Sequence, residues 1–196
     1  MNIRFFLLFL IFLCIFNISC SFKKGFEQNS DTNSLQSQLE SKNEALSQID
    51  ELSKEEAVIR TAKGNLIIKF YENAAPNTVT RIKELITSGF YDGLIFHRVV
   101  PNFVIQTGDP TQTGSGGSGK KLKAEFSSLK HKKGTVAMAR TQDVDSADSQ
   151  FYIALTDLPQ LDGQYTIFGQ VVSGENILSQ IIKGDKIISM SLRDDK

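Results

Sequence analysis

The chain has 196 residues, 40% hydrophobic and 22% charged, and its 22 basic and 22 acidic side chains cancel to a formal net charge of zero. That size and composition fit one globular domain with appendages, and the charge balance gives no electrostatic case for nucleic acid. Both cysteines, Cys14 and Cys20, fall within the first 20 residues, so whatever folds downstream has no disulfide and no thiolate metal ligand.

The chain opens with Arg4 and an unbroken apolar run of 12 residues, 5–16. A spanning helix needs about 20 apolar residues, whereas a short apolar core behind a basic start is the pattern of a secretory signal. The run leads into Asn17-Ile18-Ser19-Cys20. A small residue directly before a cysteine resembles the bacterial lipoprotein processing box, although Asn17 stands where that pattern prefers Leu. The reading is a signal over 1–19 and lipidation of Cys20 with acyl chains such as palmitate. The mature chain would then hang from a membrane of the bacterial cell envelope, on its periplasmic or surface side. More than one acyl chain is needed for stable anchoring. An ordinary signal with an incidental cysteine, or a retained short anchor, is the alternative.

Residues 20–55 read as a tether. Its first part, to about residue 34, is rich in Ser, Asn, Lys and Gln and has no apolar period. Leu35, Leu39, Leu46, Ile49 and Leu52 then recur at spacings of one helix face. A dimerising coiled coil needs about three or four sustained heptads, so a partly helical spacer and a monomer are favoured over a dimer.

The globular part, 56–196, starts with two strands, 57–61 and 65–71, turning at Lys63-Gly64. Pro76 opens a helix with Asn77 or Asn73 as capping candidates; Val79, Ile82, Lys83, Leu85 and Ile86 give its inner face, and Ser88-Gly89 stops it. Strands follow at 94–99 and 103–108, then a glycine- and serine-rich loop at 110–120. Further strands are expected near 134–139, 150–155 and 166–172, a second helix over 175–182 and a last strand over 187–192. Many strands with two separated helices suggest a mainly β protein built as a closed antiparallel barrel, because closure removes vulnerable sheet edges.

Several motifs invite chemical readings that fail on inspection. Gly114-Ser115-Gly116-Gly117-Ser118-Gly119-Lys120 has the spacing of a phosphate-binding loop, but Lys121 stands where Ser or Thr is needed and no helix follows. His97 has no acidic cluster at ligand spacing and reads as a structural histidine hydrogen-bonded beneath a pocket; His131, among Lys130, Lys132 and Lys133, reads as solvated. Ser146 and Ser149 lack a nucleophile elbow, and the acidic stretch 143–148 lacks calcium-loop spacing. No metal and no cofactor are expected.

The most informative stretch is Phe96-His97-Arg98-Val99-Val100-Pro101-Asn102-Phe103-Val104-Ile105-Gln106-Thr107-Gly108-Asp109. It sets an arginine, an aromatic and a glutamine at fixed intervals in an apolar, β-branched run. A guanidinium beside apolar aromatics is costly unless it is used; pairing with a carboxylate at a barrel end is the bland account of Arg98. This stretch resembles the cyclophilin family of peptidyl-prolyl isomerases. So do Gly134-Thr135-Val136-Ala137-Met138-Ala139-Arg140, Ser149-Gln150-Phe151-Tyr152-Ile153, Leu161-Asp162-Gly163 and Phe168-Gly169-Gln170-Val171, in the family's order.

The resemblance implies an eight-stranded barrel whose ends are capped by two helices, and catalysis of rotation about X-Pro bonds in proline-containing polypeptides. Carried over residue by residue, it gives Arg98 as donor to the proline nitrogen, with Gln106 orienting it and Phe103 beside it. Val104, Tyr152, Leu161 and Tyr165 join Phe103 around the proline ring, and Ala139, Arg140 and Gln150 meet the extended peptide. Three positions depart from the common family pattern. Tyr152 replaces a phenylalanine, Gln160 a tryptophan and Tyr165 a histidine. The missing tryptophan implies weak sensitivity to cyclosporin. With the export signal, the combined expectation is an isomerase assisting the folding of exported proteins. A proline-binding module without turnover, or a small-molecule carrier, would be the competing classes; the bulky strand residues argue for a filled interior over a carrier's cavity.

Overall fold

The computed structural model describes residues 55–194. The signal, the tether, Cys20 and the apolar pattern at 35–52 lie outside the described residues.

β1 (Glu55–Thr61) and β2 (Gly64–Phe70) form the expected hairpin in continuous antiparallel register from Glu56 opposite Lys69 to Thr61 opposite Gly64. The turn is Ala62-Lys63, one residue earlier than the sequence suggests. Gly64 begins β2 because φ is +132° there and a Cβ would sit 2.5 Å from the Ile177 Cδ1 atom. Strand alternation buries Ala57, Ile59, Leu66 and Ile68 completely; each large aliphatic side chain so buried contributes about 1.5–3 kcal/mol.

α1 (Pro76–Thr87) packs Val79, Ile82, Leu85 and Ile86 into the core. Lys83 lies at the margin of that face, bonded to Glu72 at 2.7 Å and Glu55 at 2.9 Å. Neither Asn73 nor Asn77 caps the helix; its N-cap position is Ala75. The Glu125 carboxylate does the work from a distant loop, accepting from the backbone N–H groups of Asn77 at 3.0 Å and Thr78 at 2.8 Å. It also accepts from the Thr78 hydroxyl at 2.6 Å. The orphan donors of a helix start are thus satisfied by an anion where the helix dipole favours one.

The remaining strands are β3 (Arg98–Val100), β4 (Val104–Thr107), β5 (Thr135–Met138), β6 (Phe151–Ala154), β7 (Ile167–Ser173) and β8 (Ser189–Asp194). α2 spans only Glu175–Leu178, half the expected length, and a single 3-10 turn covers Pro159–Leu161. All eight strands join one antiparallel sheet in the order β3-β4-β6-β5-β7-β2-β1-β8. Shifts of register at Ile67/Ile68 and Val136/Ala137 curl it. The sheet does not close into the expected barrel: β3 and β8 end the ladder, leaving an open, curled half-barrel. The segments leading into those strands do meet, through the bridge Ile95–Lys186 and backbone bonds such as Phe96 N–H to the Asp185 carbonyl at 2.9 Å. β3 itself is too short, at three residues, to extend that contact into a ladder.

The main core gathers Ile59, Ile82, Phe96, Phe151, Phe168 and their neighbours. A smaller apolar cluster of Val104, Ala137, Tyr152, Ala154, Leu158 and Ile167 lies apart from it, with Phe103, Leu161 and Tyr165 packed against its edge.

Candidate active site

The smaller cluster carries the site. Strand register puts Arg98 of β3 opposite Gln106 of β4, Gln106 opposite Tyr152 of β6, and Tyr152 opposite Ala137 of β5. One transverse row of the sheet therefore runs from a charge through an amide to an aromatic ring. Val104, two residues from Gln106 on β4, shares its face. Phe103 follows Asn102, whose positive φ of 57° makes the turn between β3 and β4.

A cavity of about 240 Å³ opens over this row. Its lining is Arg98, Phe103, Val104, Gln106, Ala139, Arg140, Tyr152, Leu161 and Tyr165. Every residue expected to handle substrate is here except Gln150. That residue lines an adjoining cavity of about 380 Å³ with Gly114, Gly116, Lys121, Ser146 and Asp148.

The two cavities are linked by a directed chain of hydrogen bonds. Arg98 Nη1 donates to Gln106 Oε1 at 3.3 Å, and Gln106 Nε2 donates to Gln150 Oε1 at 2.9 Å. Gln150 Nε2 then donates to the carbonyls of Gly114 at 3.0 Å and Gly116 at 2.7 Å. Since those carbonyls only accept, the orientation of both amides is settled, and Gln106 must present its oxygen to Arg98. Among the described residues Arg98 makes no salt bridge; it is exposed, with its guanidinium 5.8 Å from the Phe103 ring centroid. The bland expectation of a carboxylate partner is not met.

Arg140 is held differently. Its Nε and Nη2 donate to the Gln164 carbonyl at 3.1 and 2.9 Å, and its Nη1 to the Thr141 carbonyl at 2.9 Å, with the guanidinium 4.7 Å from the Tyr165 ring centroid. It clamps Tyr165 and the 164 carbonyl and keeps little donor capacity for a ligand.

The glycine-rich loop is fastened by two carboxylates. Asp109 accepts from the Thr111 N–H at 2.7 Å, the Thr111 hydroxyl at 2.8 Å and the Gly114 N–H at 2.5 Å. Asp148 accepts from the backbone N–H groups of Ser118 at 2.7 Å and Gly119 at 2.9 Å, and from the Ser118 hydroxyl. Burial pushes the Asp109 pKa up, but these donors outweigh it and bring it down to about 2.

Both histidines differ from the sequence reading. His97 is buried as expected, yet neither ring nitrogen has a hydrogen-bond partner; burial lowers its pKa against the pull of Asp109. His131 is not solvated: it is 1% exposed, with Nδ1 3.1 Å from Asp162 Oδ1 and Nε2 3.0 Å from the Tyr152 hydroxyl. Its lysine neighbours point outward while its own ring turns in, an arrangement that the local sequence hides.

The family model described as cyclophilin type peptidyl-prolyl cis-trans isomerase matches residues 57–192, most of the chain. The chain belongs to that family. A peptidyl-prolyl cis-trans isomerase of Helicobacter pylori is 42% identical over 123 residues, covering 62% of this chain and 75% of its own. One from Synechococcus elongatus is 43% identical over 122 residues, covering 62% and 83%. A cyclophilin-type isomerase of Cryptosporidium parvum, crystallised in the presence of the dipeptide Ala-Pro, superimposes with a TM-score of 0.67 at 31% identity, over 71% of this chain and 99% of that one. A cyclophilin from Hirschia baltica shares the fold at 22% identity, with a TM-score of 0.64 over 69% of this chain and 72% of that one. The protein is thus a cyclophilin-type peptidyl-prolyl cis-trans isomerase, and the neighbouring folds are cyclophilins.

Proposed function

We propose that this isomerase takes the proline ring of a polypeptide into the slot of Phe103, Val104, Tyr152, Leu161 and Tyr165, and that Arg98 accelerates rotation of the preceding bond. Resonance sets a barrier of roughly 18–20 kcal/mol to that rotation, while the two planar isomers differ by only about 0.5–1 kcal/mol. No bond has to break. As the amide twists, its nitrogen becomes pyramidal and gains a lone pair, and a donor fixed beside it binds the twisted form better than either planar one. The observation that carries this reading is the uncommitted guanidinium of Arg98, held at the mouth of an apolar slot by a Gln106 oxygen whose orientation Gln150 dictates.

The substrates in this account are proline-containing segments of exported proteins, whose uncatalysed isomerisation takes tens of seconds. The apolar run at 5–16 and the Ser19-Cys20 pair support export and lipid anchoring at Cys20, with the domain facing the periplasm or the cell surface as a folding assistant. Two experiments test the two halves. Exchange in a proline tetrapeptide should be accelerated by the full chain and at least about tenfold less by Arg98→Ala, a loss of roughly 1.4 kcal/mol of transition-state stabilisation; equal turnover would remove Arg98 from the mechanism. Metabolic labelling with palmitate should mark the wild-type chain and not Cys20→Ala; labelling of both would dismiss Cys20 as the anchor.

A further inference from the structure

The slot has two walls from different parts of the chain. Tyr152 lies on strand β6, whereas Leu161 ends the 3-10 turn and Tyr165 stands on the loop that follows it. His131 touches both. Its backbone N–H donates to Asp162 Oδ1 at 2.8 Å, and its carbonyl accepts from the Leu158 N–H at 2.8 Å. Its Nδ1 lies 3.1 Å from the same Asp162 oxygen, which can only accept, so Nδ1 carries the proton. In the neutral ring Nε2 is then an acceptor, and the Tyr152 hydroxyl donates to it at 3.0 Å. Asp162 adjoins Leu161 in the chain, and Lys130 lies 3.4 Å from its second oxygen. The three rings also pack together: Tyr152 and Tyr165 meet edge to face at 5.7 Å, and His131 and Tyr165 at 6.4 Å.

We propose that His131 is a positioning residue for the isomerase, bolting the loop wall of the slot to its strand wall through Asp162 on one ring nitrogen and Tyr152 on the other. The proposal rests on reading the cavity as the proline slot. Burial calls for partners on a histidine's ring nitrogens but does not dictate which ones. Here both are used, and each leads to a slot residue or its immediate neighbour. The Tyr152 hydroxyl is what makes the connection possible: a phenylalanine at that position would keep the ring and lose the link. Burial holds the tyrosine hydroxyl in its protonated, donating form.

The test uses the full chain and three variants, Tyr152→Phe, His131→Gln and the double variant, with Arg98→Ala as control. Nitrogen-15 NMR of the histidine rings, at a pH where imidazole is neutral, should show the His131 proton on Nδ1 and Nε2 bare. Tyr152→Phe, which removes one oxygen, should lower kcat/KM by about threefold to tenfold through misplacement of the slot. His131→Gln should cost at least as much alone and clearly less on the Tyr152→Phe background, because the shared bond is already gone. The opposite tautomer, or an unchanged kcat/KM for Tyr152→Phe, would overturn the proposal, as would equal His131→Gln losses on both backgrounds. If His131→Gln does not fold, Tyr152→Phe and the tautomer decide. Full activity of Arg98→Ala would instead remove the catalytic reading on which the slot assignment rests.

Discussion

Arg98 is catalytically interesting for what it does not do. A guanidinium this close to apolar rings normally finds a carboxylate, and a fully formed ion pair would leave it less free to follow a lone pair that exists only in the twisted amide. Its partner is a neutral amide oxygen at 3.3 Å, long enough to orient and weak enough to leave. Replacing that amide should matter. Gln106→Glu keeps the size but sets a carboxylate against Arg98 and against the Gln150 oxygen, so turnover should fall by about tenfold; a tetrapeptide exchange assay at unchanged melting temperature checks it. At this scale the sequence showed which residues would meet, since Arg98 and Gln106 pair across two short strands and Phe103 ends the turn between them. It was silent on His131, because nothing in a run of lysines reveals which side chain turns inward, and on the Gly114 and Gly116 carbonyls that fix Gln150.

At the scale of elements, the Glu125 cap ties the long loop to α1 and so holds the slot's surroundings to the core. Burial raises the Glu125 pKa and the Thr78 and Asn77 donors lower it, with the net shift downward. The folded state therefore binds a proton less readily than the unfolded chain, and the cap's contribution is present above the ordinary glutamate value and lost as pH falls through the folded one. Glu125→Ala should destabilise by about 1 kcal/mol, lowering the melting temperature by about 2–4 °C while leaving wild-type-like turnover below the transition. An unchanged melting temperature would show that water caps the helix as well. The cap escaped sequence reading because its anion lies 47 residues from the hydroxyl it binds, whereas the helix itself, with Pro76 at its start and an apolar stripe, did not. α2 stops after four residues although Ile181 beyond its end joins Ile177 and Leu178 in the core, so the apolar spacing that suggested a longer helix is met there by non-helical backbone.

At the scale of the molecule, alternation told which faces of the strands are buried but not whether the end strands pair. The half-barrel is open because β3 has three residues and its approach through Phe96 meets the 185–187 segment by irregular bonds. Its buried and loop-fastening carboxylates set the acid limit. Asp109 at about 2, with Asp162, Asp185 and Glu125 also below their ordinary values, all favour the charged form in the folded state. Stability should be level above about pH 5 and decline as pH falls from roughly 4 toward 2, with Asp109 alone accounting for on the order of 2 kcal/mol. Melting temperatures across that range test it; a flat profile would mean that the loop around Asp109 does not hold the fold together.

The measurement closest to the centre of this account compares binding with exchange in one sample. Equilibrium NMR of a proline tetrapeptide, with the wild-type full chain and with Arg98→Ala, yields both the peptide affinity and the rate of cis/trans exchange in the bound state. A donor used only by the twisted amide predicts an exchange rate lower by at least about tenfold, with affinity changed by less than about threefold. A matching loss of affinity with bound-state exchange intact would mean that Arg98 grips the planar peptide, and that the acceleration comes from elsewhere in the slot.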